Sequence, residues 1–201
     1  MFFLRGGHYK KMKLDVYVDF LLAYNEKVNL VSKKSTRETI NVLISESLML
    51  KTYLSTPFVI DAGSGGGLLG IPIALSFPEK RIILTETVQK KVKFLKLAIE
   101  ELNLDNVKVW GGPIQEYMQR QKKIAGTLIS RGFPDINILT EYIFNKTIKE
   151  LILITSPLKI NKIQNKVANI RQNSYNIPLR NNLIIFKMES VSRETQQIWV
   201  K

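Results

Sequence analysis

The residues best suited to chemistry sit in one glycine-rich turn and at two points downstream of it. In Val59-Ile60-Asp61-Ala62-Gly63-Ser64-Gly65-Gly66-Gly67-Leu68-Leu69-Gly70-Ile71-Pro72, an acidic residue and closely spaced glycines directly follow an apolar stretch. Glycine has no Cβ, so such a turn can take positive φ and bring its backbone against a ligand. The N–H groups opening the next helix are available to polar or anionic groups. Glu86 follows the turn by about twenty residues, the spacing at which a carboxylate can accept hydrogen bonds from both ribose hydroxyls. A solvated loop carboxylate is the alternative for Glu86. Ser130-Arg131 closes another apolar run, where a substrate would enter; for Arg131 a buried structural ion pair is the competing role.

The spacing discriminates between ligands. A dinucleotide fingerprint needs glycine at position 68, where Leu68 stands. A phosphate loop needs Lys and then Ser or Thr after Gly70, where Ile71 and Pro72 stand. What remains, Asp-x-Gly-x-Gly-x-Gly after a strand, resembles the first motif of Rossmann-like methyltransferases, which bind S-adenosylmethionine. A glycine turn without a ligand is the alternative. Asp61 is expected to hold the turn and a nearby water rather than to react. Thr87 and Val88 lie beside Glu86. Ile114 and Gln115, in the loop Gly112 to Glu116, are the candidates to border an adenine.

These residues need strands and helices to place them. Residues 1–12 read as a frayed basic arm. Helical spacing starts at Leu14 and continues through Val18, Leu21, Leu22 and Val28. A second helix starts at Ser35 or Thr36, with Ser35 and Glu38 spaced as a capping box, and runs to Tyr53. Phe58–Ile60, Arg81–Thr85, Val107–Trp110, Gly126–Ser130, Leu151–Ile154 and Leu183–Met188 read as strands. Helices are expected over Ile71–Phe77, Gln89–Leu102 and Ile136–Phe144, and over Lys159–Asn176 with polar faces. A helix or loop covers Ile114–Lys123. Alternating strands and helices imply an α/β fold, a mainly parallel sheet covered by helices on both faces. The expected division is a basic arm and short N-terminal helical extension, 1–54, on a Rossmann-like domain, 55–201, in one compact unit. Ligands of such sheets sit at the carboxyl ends of the strands. Asp61, Glu86 and Ser130-Arg131 all fall at such ends.

Composition narrows the function. The chain of 201 residues is 45% apolar, enough for a proper core. It has no cysteine and a single histidine, His8, which excludes a disulfide framework and a thiolate or histidine zinc site. Apolar runs are too short to span a bilayer, and the N-terminus lacks the order of a signal peptide, so a cytoplasmic location without a membrane partner is expected. A formal net charge of +13 favours a polyanionic partner, nucleic acid above all. Biased base composition in the source genome is the other explanation for a sequence rich in Lys, Asn and Ile. Lys90, Lys91, Lys93 and Lys96 on one helix read either as a solvated face or as one facing RNA.

Four segments in order sharpen the resemblance: Asn25–Leu30, Asp61–Pro72, Lys90-Lys91-Val92-Lys93-Phe94-Leu95 and Ser130-Arg131-Gly132-Phe133. Over about residues 14–190 the chain is similar to the bacterial 16S ribosomal RNA guanine-N7 methyltransferases, the glucose-inhibited division protein B family. The resemblance implies a Rossmann-like S-adenosylmethionine-dependent methyltransferase fold and methyl transfer to a guanine N7. Its substrate would be 16S ribosomal RNA or the small ribosomal subunit, and the enzyme a monomer. It implies that Gly63, Gly65 and Gly67 contact the methionine part of S-adenosylmethionine, that Glu86 takes the ribose, and that Ile114 and Gln115 flank the adenine. Arg131 would face the methyl donor and the target base, as the candidate catalytic residue. The full candidate cofactor set is Asp61, Gly63, Ser64, Gly65, Leu68, Glu86, Thr87, Ile114, Gln115 and Arg131. Phe133 is placed either to stack on the base or to pack in the core. The chain departs from the family pattern at Val42-Leu43, where an Arg-His pair is usual, at Pro113 for an arginine, and at Ser156-Pro157 for a Lys-Gly. A non-catalytic RNA-binding or ribosome-assembly protein that kept the fold is the second reading, and a methyltransferase of another substrate the third.

Overall fold

The computed structural model describes residues 3–121, 124–145, 147–156, 158–159, 171–173, 178–179 and 183–189. The strands are β1 (Phe58–Ala62), β2 (Arg81–Thr85), β3 (Val107–Trp110), β4 (Ile124–Arg131), β5 (Ile148–Thr155), β6 (Arg171–Asn173), β7 (Pro178–Leu179) and β8 (Leu183–Glu189). The helices are α1 (Phe3–Asn25), α2 (Arg37–Leu48), α3 (Gly70–Ser76), α4 (Gln89–Glu101), α5 (Ile114–Gln119) and α6 (Ile136–Phe144). The sheet runs β3-β2-β1-β4-β5-β8-β6, with β7 beside β8. The first five strands are mutually parallel. β8 is antiparallel to β5 and lies between it and β6. Strand order reverses between β1 and β4, and in open α/β sheets that reversal opens a crevice at the carboxyl ends of the strands.

Alternation along the strands divides the core into two layers. Val59, Ile129 and Ile152 point to one face, where they meet Tyr17, Ile40, Ile71 and Phe94 from α1 to α4. Ile60, Leu128 and Leu151 point to the other, against Ile114 and Met118 of α5 and Ile136, Leu139 and Ile143 of α6. Both faces are covered, as the alternating pattern requires. Residues 3–54 are not a separate layer: Tyr17, Leu21, Ile44 and Leu50 share one cluster with α3 and α4.

Several boundaries differ from expectation. The region read as a frayed arm is helical from Phe3. Once the packed turns around Tyr17 nucleate α1, each further residue adds a hydrogen bond at little cost. The capping residue of α2 is Thr36, whose hydroxyl accepts from the Thr39 amide at 3.3 Å, so the Ser35–Glu38 box does not form. α2 stops at Leu48 and tightens into a 3-10 turn, Met49–Thr52, before Tyr53. β1, β4 and β5 each run longer than their apolar runs, because strand pairing continues through further buried residues, Asp61, Ala62, Ile124, Ile148, Glu150 and Thr155 among them. Arg171–Asn173, expected inside a polar helix, pairs with β8 as a strand. Residues 160–170 and 174–176 of that expected helix lie outside the described residues.

Candidate active site

The glycine turn is built by backbone partners. After β1 the chain takes positive φ at Gly63, Gly65 and Gly67 (71°, 59° and 80°). The Ser64 amide donates to the Thr85 carbonyl at 2.9 Å, and the Gly67 amide to the Ser64 carbonyl at 2.8 Å. The Thr85 hydroxyl donates to the Asp61 carbonyl at 3.0 Å, tying the ends of β1 and β2 together. Asp61 itself is buried, and its Oδ2 accepts from the Gly70 amide at 3.0 Å. That carboxylate therefore caps α3 from β1, since Leu69 at the helix start offers no side-chain cap. This corrects the expectation that the first amide of the helix is open to a ligand.

Burial drives the Asp61 carboxyl up from an ordinary 3.8 to about 7, against hydrogen bonds from Gly70 and Ser64 that pull it down. A carboxyl raised in the fold keeps its proton at pH values where the unfolded chain has lost it. Its contribution to stability is full below pH 4 and is lost as pH rises to about 7. Each pKa unit is worth about 1.4 kcal/mol, so the loss across that window is on the order of 4 kcal/mol. Asp61→Asn keeps an oxygen for the Gly70 amide and cannot ionise. The stability of the Asn variant minus that of the parent should therefore grow between pH 4 and 7 and level off above. Urea unfolding across that range checks this; a constant difference would refute it.

Glu86 sits just past β2, nearly buried. Its Oε1 accepts from the Thr87 and Val88 amides, both at 2.9 Å, and its Oε2 accepts from the Gly65 amide at 2.9 Å. A carboxylate has about four acceptor positions, so about one remains, on Oε2. The side chain links the turn to the β2 end and keeps less acceptor capacity for ribose than two hydroxyls would use.

A cavity of about 300 Å³ opens here, lined by Gly63, Thr85, Glu86, Thr87, Gly112, Pro113, Ile114, Gln115, Arg131, Gly132, Phe133 and Pro134. Six of the ten candidate residues line it: Gly63, Glu86, Thr87, Ile114, Gln115 and Arg131. Asp61, Ser64, Gly65 and Leu68 are not among the lining residues. The first two lock the turn, the Gly65 amide anchors Glu86, and the Leu68 carbonyl accepts from the Ser47 hydroxyl at 2.7 Å. Phe133 takes the core-packing role and also lines the cavity. Its ring packs on the second core cluster and faces Gly63, where a Cβ would stand 3.2 Å from it.

Arg131 ends β4 and joins the cavity to α2. Its Nη2 donates to the Leu43 carbonyl and to the Ser47 hydroxyl, each at 3.1 Å, and its Nη1 stands 3.2 Å from Glu46 Oε2. The side chains of this pair are 17% and 6% exposed. Thus Arg131 both forms the buried ion pair weighed as its alternative and lines the site. Leu43, a departure from the family pattern, meets Arg131 through its backbone; neighbouring Val42 is exposed. Pro113 precedes α5, lines the cavity, and its carbonyl accepts from Trp110 Nε1 at 3.2 Å. Sequence reasoning missed Tyr17, Glu46 and Ser47. The only available trace was an aromatic hydroxyl and two polar groups on otherwise apolar helical faces.

The residues present suit a nucleoside-bearing cofactor. Ile114, Pro113 and Phe133 give apolar walls, and Glu86 gives an acceptor. At Gly65 and Gly132, both with positive φ, a Cβ would meet nothing within 4 Å, so open space adjoins the backbone. The strand order, the glycine turn and the carboxylate ending β2 define a Rossmann-like S-adenosylmethionine-dependent methyltransferase. Solved structures share the fold. An O-methyltransferase from Bacillus cereus in complex with SAH superposes with a TM-score of 0.65 at 16% identity, over 88% of this chain and 91% of that one. A methyltransferase from Geobacter sulfurreducens superposes with a TM-score of 0.63 at 16% identity, over 88% of each chain. The family described as rRNA small subunit methyltransferase G matches residues 10–175, and the chain belongs to it. The ribosomal RNA small subunit methyltransferase G of Brachyspira hyodysenteriae is 38% identical over 92% of this chain and 87% of its own length. That of Glaesserella parasuis is 32% identical over 68% of this chain and 66% of its own length.

Proposed function

We propose that this protein transfers a methyl group from S-adenosylmethionine to N7 of a guanine in 16S ribosomal RNA. The observation that carries the reading is the family match together with a cavity that joins the glycine turn, Glu86 and Arg131 at the carboxyl ends of the strands. When bound, the cofactor supplies a methyl group already activated as a sulfonium. Guanine N7 carries a free lone pair and no proton, so the site needs no general base. The protein's task is alignment, which can supply much of the barrier reduction. Gly63 and its neighbours hold the backbone wall, Glu86 keeps an acceptor for a ribose hydroxyl, and Ile114 and Gln115 border the adenine side. Arg131 brings positive charge to the mouth, and the Phe133 ring offers a stacking surface. In A-form RNA the N7 edge faces a deep, narrow groove, so the target base must be unpaired or flipped out. Lys90, Lys93 and Lys96 are exposed on α4 and add to the basic surface.

The reading carries with it a monomer working in the cytoplasm on the small subunit or its RNA. Among the described residues no helix is long and apolar enough to cross a membrane. The non-catalytic alternative rested on the departures at Val42-Leu43, Pro113 and Ser156, and the family match does not favour it. Methylation of purified small subunits with labelled S-adenosylmethionine, followed by nucleoside mass spectrometry, is expected to yield N7-methylguanine. Failure of the protein to label subunits from a strain lacking its gene would overturn the reading.

A further inference from the structure

The glycine turn is gripped from outside the sheet. Tyr17, fully buried on α1, donates its hydroxyl to the Gly66 carbonyl at 2.6 Å. Ser47, fully buried on α2, sets its hydroxyl 2.7 Å from the Leu68 carbonyl and 2.8 Å from the Leu43 carbonyl of its own helix, so its one proton is shared between the two. Two carbonyls, two residues apart on one turn, are thus held by two different helices. A Cβ at Gly66 would lie 3.2 Å from Leu21 of α1, so the same helix also closes on the backbone there. Neither Tyr17 nor Ser47 lines the cavity.

A run of four residues with three glycines has little conformational preference of its own and loses much entropy when ordered. Each peptide plane moves as a unit, so fixing the carbonyls of Gly66 and Leu68 also fixes the N–H groups of the residues after them. The Gly67 amide in turn holds the Ser64 carbonyl, and the Gly65 amide holds Glu86. Were the turn left unheld, a ligand would have to order it, and that cost would be subtracted from affinity.

We propose that Tyr17 and Ser47 are positioning residues for cofactor binding, which preorganise the turn through the carbonyls of Gly66 and Leu68. The N-terminal helices are on this account part of the cofactor site without touching the cofactor. The inference rests on the cofactor reading above, and parent protein that bound no S-adenosylmethionine would sink that reading instead.

Tyr17→Phe keeps the ring in the core and removes only the hydroxyl. Calorimetric titration with S-adenosylmethionine should give a Kd about five- to tenfold weaker than the parent, the scale of one lost buried hydrogen bond. At saturating cofactor, kcat and the KM for ribosomal subunits should stay within about twofold, because the loss is in ordering the turn and not in the chemistry. Amide exchange at 63–67 in the ligand-free protein should quicken. Ile40→Val, a buried change on α2 away from the turn, serves as the comparison. It should lower Tm and leave the Kd unchanged. Should Tyr17→Phe fail to fold, Ser47→Ala decides the matter: it frees the Leu68 carbonyl and also removes a partner of Arg131, so a weaker Kd supports the proposal only together with quicker amide exchange at 65–69, and a weaker Kd without that quickening overturns it. A parent-like Kd in the folded variant, or an equal loss of affinity in Ile40→Val for the same drop in Tm, overturns the proposal.

Discussion

Arg131→Met is expected to cost the fold about 3–5 kcal/mol and to lower methyl transfer by about a hundredfold or more. The guanidinium faces Glu46 across 3.2 Å with both side chains largely buried, and it also donates to the Leu43 carbonyl and the Ser47 hydroxyl. Taking away one partner of a buried ion pair leaves a charge whose desolvation was balanced by the other. Replacing both partners by apolar groups is often neutral, so Arg131→Met with Glu46→Leu should recover much of the stability. Activity should not return with it, because the side chain that lines the cavity is still missing. Urea unfolding and methyl-transfer rates on the two variants separate the roles. Restored turnover in the double variant would show that Arg131 acts only as a strut.

Gly67→Ala should be nearly as damaging, and Gly65→Ala should not. Both positions have positive φ, 80° and 59°, which costs an alanine about 1–2 kcal/mol. They differ in what surrounds them. At Gly67 a Cβ would stand 2.6 Å from Ile71 Cδ1 and 3.0 Å from Leu95 Cδ2, inside the buried core, where overpacking adds about 1–3 kcal/mol. At Gly65 it would meet nothing within 4 Å. Thermal unfolding should therefore show a Tm drop for Gly67→Ala at least twice that of Gly65→Ala. The Gly65 variant should remain folded but lose affinity for S-adenosylmethionine, since its new methyl projects into space beside the turn. Equal Tm losses would mean that backbone strain alone dominates.

Much of this molecule could be read from residues near one another in the chain. Apolar runs followed by Asp61, Glu86 and Ser130-Arg131 mark strand ends, because a strand buried on both faces is apolar along its length and ends where polar groups reach a crevice. The glycine spacing excluded two nucleotide loops and left one, since close backbone approach is a local property. Strand β2 and helix α6 begin and end where the pattern puts them. Ile114 and Gln115 were placed by their distance past β3, and both line the cavity.

Other features were decided by tertiary structure. Arg131 meets Leu43 and Ser47 from 88 and 84 residues away, and Tyr17 meets Gly66 across 49. No periodicity encodes such pairs; they exist because α1 and α2 pack over the same sheet face as the turn. Glu86 looked free for two ribose hydroxyls, but the folded turn brings the Gly65 amide to its Oε2, beside the local amides of Thr87 and Val88 on Oε1. Asp61 caps a helix that begins nine residues later, and its carboxyl is raised chiefly because the closed fold removes water. Arg171–Asn173 became a strand because β8 offered an edge to pair with. The sequence by itself determined which groups stand at the strand ends and what they can bind. The packing of distant helices decided which of those groups remain available to a ligand, because desolvation and hydrogen bonding act through space rather than along the chain.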